Sequence, residues 1–105
     1  MNVNEWLVRT EQALTALENA SQAEQAQALA TAAVELGELN RQFSQLPVAA
    51  REQVRPQLAR LLGRIHATTA RLEQGRASAG EGLKGLRQHG AALNAYMVSD
   101  AKNRS

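Results

Sequence analysis

Several residue groups in this 105-residue chain have types and spacings that could do chemistry. Gly80-Glu81-Gly82-Leu83-Lys84-Gly85 matches the glycine fingerprint of dinucleotide-binding loops, and Asp100 follows where that fold places its ribose-binding acid. The fingerprint works because its glycines turn tightly out of a strand and bring a helix amino terminus to the pyrophosphate. Here no strand pattern precedes it and helical apolar spacing runs through it, so the match reads as accidental. Local flexibility or a close helix approach is the better use for these glycines. His66 and His89 have no carboxylate or second histidine three or four positions away. A metal site needs three or four ligands, so both are expected on the surface and no metal is expected. Glu35 and Glu38 share a helical face, and two such carboxylates read as a solvated edge rather than an acid/base pair. The chain has no cysteine, which removes thiol nucleophiles, disulfides and thiolate metal sites. Its serines form no plausible Ser/His/Asp set. No catalytic residue and no cofactor is therefore expected, and the chain reads as a binder rather than an enzyme.

The elements that would carry any surface are helices. Alanine (20) and leucine (14) dominate the apolar content, and with Gln, Arg and Glu they lose little freedom in a helix. No window alternates as a half-buried strand would. A single all-α domain is expected over 1–105: an antiparallel bundle of three main helices plus a weaker C-terminal helical segment. Asn2 or Asn4 can cap the first helix, at about 3–19, with Val3, Trp6, Leu7, Leu14 and Leu17 on its stripe. Ser21 with Glu24 reads as a capping box opening a second helix at about 22–45. That helix carries Leu29, Ala33, Leu36 and Phe43, and Pro47 ends it. From Val48 an apolar stripe runs through Val54, Leu58, Leu61, Ile65, Leu72, Ala79, Leu83, Leu86, Leu93 and Met97. A single helix of that length would extend about 75 Å, more than the diameter of a globule of this size. Glycines crowd its second half, so the spacing predicts a firm helix at about 48–74, a weaker one at about 80–97, and a frayed tail over 99–105.

Charge is uneven. Residues 1–46 carry two arginines against six glutamates, whereas residues 47–105 carry ten basic residues against four acids. An acidic helical pair packed beside a basic helix explains this better than a nucleic-acid surface, because no aromatics interleave the basic residues. Arg60, Arg64 and Arg71 fall in one narrow sector of the third helix. Like charges at this spacing repel, so something negative is expected opposite: glutamates of the first two helices in the first place, an acidic partner in the second. The amino terminus lacks the basic and apolar regions of a secretory signal, and no apolar run reaches the roughly 20 residues of a membrane span. A soluble, cytoplasmic protein is expected.

Leu83, Leu86, Leu93, Tyr96 and Met97 put a good apolar stripe on a glycine-weakened helix. One reading is ordinary core packing. The other is a helix that covers an apolar groove loosely and is displaced by a partner's amphipathic helix. The stretch Arg87-Gln88-His89-Gly90-Ala91-Ala92-Leu93-Asn94-Ala95-Tyr96 resembles the end of flagellar type III export chaperones of the FliT family, which often close on a Leu-Asn-x-Ala-Tyr or Leu-x-Ala-Tyr element. The plan of two antiparallel helices, a proline-marked loop, a longer helix and a short terminal one is similar as well. The resemblance implies a cytoplasmic chaperone that holds a helical segment of the filament-cap protein unassembled until export, and that can engage the export ATPase apparatus. It places at roughly Leu83–Met97 a terminal helix that can cover and regulate the binding surface. The apolar stripe on a weak helix makes Leu83, Leu86, Leu93, Tyr96 and Met97 the expected partner-binding residues. Only nine residues follow Tyr96, which leaves full self-coverage by the terminal helix, and binding of the flagellar master regulator, open. Chaperones of hook–filament junction proteins, of FlgN type, are the nearest sibling class, but their Asn-rich stretch is replaced here by Ile65-His66-Ala67-Thr68-Thr69-Ala70. A helical adaptor that dimerises through the same stripe is the alternative without an export role.

Overall fold

The computed structural model describes residues 2–23, 25–74 and 80–104, with the side chains of 80–82 and 101–104 left aside. It is all-helical. The elements are α1 (Val3–Gln22), α2 (Ala26–Ser44), α3 (Val48–Gln53), α4 (Arg55–Gln74) and α5 (Gly80–Arg104).

Asn2 caps α1, its side-chain oxygen accepting from the Glu5 amide at 2.8 Å. The expected capping box does not form. Ser21 lies inside α1, which runs on to Gln22, and α2 starts after Gln25 without a side-chain cap. Glu24 lies outside the described residues. The helical propensity of Ala20, Ser21 and Gln22 outweighs the cap signal, leaving a short connection.

The third expected helix is two. α3 stops at Gln53, Val54 takes a non-helical φ/ψ of −103° and 10°, and α4 opens at Arg55. Pro56 is the cause. It has no N–H to donate to the carbonyl four residues back, and it fits only the first turn of a helix. The first α4 backbone bond accordingly runs from the Leu58 amide to the Val54 carbonyl.

The largest departure is at the carboxyl end. The weak segment expected at 80–97 is instead the longest helix, 25 residues, and the tail expected to fray continues it to Arg104. Glycine cost within α5 is outweighed by packing along its length.

Cross-contacts fix the directions. Trp6 meets Leu39 and Arg9 meets Glu35, so α1 and α2 are antiparallel. Ile65 meets Gly90, Glu73 meets Arg87 and Arg55 meets Met97, so α4 and α5 are antiparallel. Ala33 meets Gly85 and Phe43 meets Tyr96, so α2 and α5 run parallel, packed closely across the bundle. The result is an up-down-up-down bundle of 43 × 24 × 18 Å. Its core holds Trp6, Leu14, Leu17, Leu36, Leu39, Phe43, Leu61, Ile65, Leu86 and Leu93. No described helix is long and apolar enough to cross a membrane.

Candidate protein-binding site

α5 and the surface under it form the candidate site. Leu86 and Leu93 are wholly buried, and Leu83, Tyr96 and Met97 are half-buried against the same core. Each full leucine burial contributes about 1.5–3 kcal/mol. In the closed chain the two strongest of these residues are thus core residues, and a partner reaches them only when α5 lifts.

Glycine lets α5 come close. A Cβ at Gly85 would stand 3.0 Å from the Ala33 Cβ, and one at Gly90 would stand 3.1 Å from the Ile65 Cγ2. Of the two uses expected for these glycines, close approach is the one seen at Gly85 and Gly90. The dinucleotide-like stretch, Gly80 to Gly85, is helical.

The carboxyl end of α5 is held by polar contacts that the sequence does not announce. Arg51 makes a two-pronged pair with Asp100, at 2.9 and 3.1 Å, with both side chains largely buried. The same guanidinium donates to the Leu46 carbonyl at 3.0 Å, beyond the end of α2, and lies near the Phe43 and Tyr96 rings, 5.9 and 5.4 Å from their centroids. Arg55 donates to the Met97 carbonyl at 2.9 Å. Below them the chain's three aromatics stack in series, Trp6–Phe43 at 4.4 Å and Phe43–Tyr96 edge-on at 5.3 Å. The indole N–H of Trp6 donates to the Leu39 carbonyl at 2.7 Å. One arginine therefore ties the α2–α3 connection to α5, and a composition of only three aromatics was the one sequence signal available. At the other end of α5 the polar tie among the described residues is Arg87 with Glu73, 3.0 Å and exposed, of a kind that contributes little.

The three arginines of α4 separate. Arg64 pairs with Glu18 of α1 at 2.6 Å and also reaches the Thr15 hydroxyl, so its charge is answered within the chain. The Glu18 hydrogen bond raises the Arg64 pKa above its ordinary value. Arg60 and Arg71 are exposed, and neither makes an ion pair among the described residues. Glu35 pairs with Arg9 and Glu38 with Arg41, both at the surface.

His89 corrects the expectation for the two histidines. His66 is exposed, but His89 is only 2% exposed, facing inward from α5. Neither of its ring nitrogens has a hydrogen-bond partner among the described residues. Burial alone pushes its pKa down to about 4, so the ring is neutral at pH 7. The stripe placed Leu86 and Leu93 inward, and His89 lies between them at helical spacing, which is the signal that could have located it. Among the described residues no cluster of three metal-ligating side chains occurs.

Comparison with protein-family models, with curated proteins and with solved structures finds no match for the chain.

Proposed function

We propose that this chain is a protein-binding helical bundle, without catalysis, that accepts an amphipathic helix of a partner where α5 now lies. The observation that carries this reading is the asymmetric hold on α5. Its apolar residues dock from Leu83 to Met97, but among the described residues the buried polar ties sit at one end, at Met97 and Asp100. Among the described side chains, the half from Leu83 to Gly90 is held by apolar contact and one exposed ion pair, so it can lift about the Asp100 end. A partner helix with a similar stripe can replace what it uncovers.

The tail's resemblance to FliT-type chaperones supplies the partner class: the filament-cap protein of a flagellum, kept unassembled in the cytoplasm before type III export. The test is titration of the chain with the carboxyl-terminal helical segment of the cap protein from the same cell. One-to-one binding is expected, tighter for Asp100→Ala, because loosening α5 raises the fraction of competent molecules. Absence of binding by both proteins would remove the export reading. Equal binding by both would remove the role of α5.

A further inference from the structure

On the reading that a partner helix takes the place of α5, the seat it enters is already filled by a helix whose contacts show what fits. Gly85 passes Ala33 of α2, where an added Cβ would stand 3.0 Å from the Ala33 Cβ. Gly90 passes Ile65 of α4, where one would stand 3.1 Å from the Ile65 Cγ2. A helix in this seat therefore needs small residues at those two places, or its neighbours must give way. Leu86 and Leu93, two helical turns apart and wholly buried, are the anchors.

His89 is the misfit. It lies between the anchors at helical spacing and is as buried as they are. A neutral imidazole has one N–H to donate and one lone pair to accept with, and among the described residues neither finds a partner. Asn40 of α2 borders the same seam, but its own buried Oδ1 is unpaired as well, so the two side chains do not answer each other. Burying a donor and an acceptor without partners gives up their hydration for nothing, and native folds rarely tolerate it without a use. A leucine or methionine at this place would bury a comparable apolar surface and strand no polar atom. α5 is thus well shaped for its seat but handicapped in it. The handicap falls in the half that lacks a buried polar tie among the described residues, while the far end is held by the Arg51–Asp100 pair.

We propose that the partner helix displaces the Leu83–Leu93 part of α5 by repeating its small and leucine places while carrying an apolar residue where α5 has His89. From the Gly85 place onward its pattern is small, Leu, two free positions, Leu or Met, small, two free positions, Leu. It runs parallel to α2, as α5 does. His89 makes α5 a placeholder that covers the apolar groove when no partner is present and yields to a helix without the stranded donor and acceptor. That difference in affinity for the opened groove is what shifts the bundle from closed to occupied.

The test titrates the full chain at pH 7 with three labelled synthetic peptides spanning residues 80–98: the parent sequence, His89→Leu and His89→Gln. Glutamine raises helix propensity as leucine does but keeps polar atoms at that place. Competition from the chain's own α5 is the same for all three, so their ratio reports the place of His89. The His89→Leu peptide is expected to bind about tenfold or more tightly than the other two, a difference of about 1.4 kcal/mol. The same substitution in the chain strengthens the placeholder instead. The His89→Leu chain should therefore bind the His89→Leu peptide about tenfold more weakly than the parent chain does. The proposal is overturned if the three peptides bind alike, if the glutamine peptide matches the leucine one, or if both chains bind the leucine peptide equally. Peptides that bind alike yet strip amide protection from α5 would leave the exchange standing and remove the role of His89. Peptides that do not bind, or that bind without loss of that protection, would remove the exchange as well.

Discussion

His89 gives the sharpest quantitative prediction. Its folded pKa is about 4 against an ordinary value of 6.5, with burial as the cause. A histidine whose folded pKa is depressed binds its proton only after unfolding, so stability is complete above pH 6.5. It then declines as pH falls towards 4, and levels off below. At 1.36 kcal/mol per pKa unit the loss over that window is about 3 kcal/mol. For a domain whose whole stability is about 5–15 kcal/mol, that is a large share. The assay is urea denaturation at a series of pH values on His89→Leu and on the parent, both carrying His66→Gln so that no other histidine titrates. Carboxylates also titrate in this range, but equally in both proteins, and the difference isolates His89. Parallel profiles for the two proteins, or a ring titration by NMR near 6.5, would refute the burial of a neutral imidazole.

Other outcomes follow from the same contacts. Arg51→Ala or Asp100→Ala leaves a largely buried charge without its partner and should cost about 3–5 kcal/mol in denaturant stability, with the double variant costing less than the sum. Leu86→Ala and Leu93→Ala should each cost about 2–5 kcal/mol by calorimetry or denaturation. A loss below 1 kcal/mol would place them at the surface rather than in the core. Gly85→Ala should destabilise by about 1–3 kcal/mol because its Cβ meets Ala33 at 3.0 Å. Gly63→Ala, whose Cβ meets nothing within 4 Å, should stabilise by up to about 1 kcal/mol.

The all-helical class, the proline-ended second helix and the inward positions Leu58, Leu61, Ile65, Leu86 and Leu93 were legible because burial in a helix leaves a periodic apolar trace. The firmness of α5 was not. Its glycines depress local propensity, and what offsets them is tertiary: Ala33 and Ile65 are small or shaped enough to let Gly85 and Gly90 approach. The Arg51–Asp100 tie was hidden for a related reason. The two residues lie 49 positions apart, and an aspartate in a polar run looks solvated until a long-range contact buries it. His89 is polar on an apolar stripe, and residue type alone argues for the surface while its position argues for the core. Here position wins. Pro56 was a local signal of a helix start that the stripe obscured.

The central claim, that a partner takes the place of α5, is tested most directly by amide hydrogen exchange on the chain alone and bound to the cap-protein segment. Exchange of α5 for the partner predicts lost protection from Gly85 to Leu93, with protection retained or raised in α2 and α4. Protection that rises along α5 in the complex would mean that the partner binds the closed bundle, and would contradict the claim.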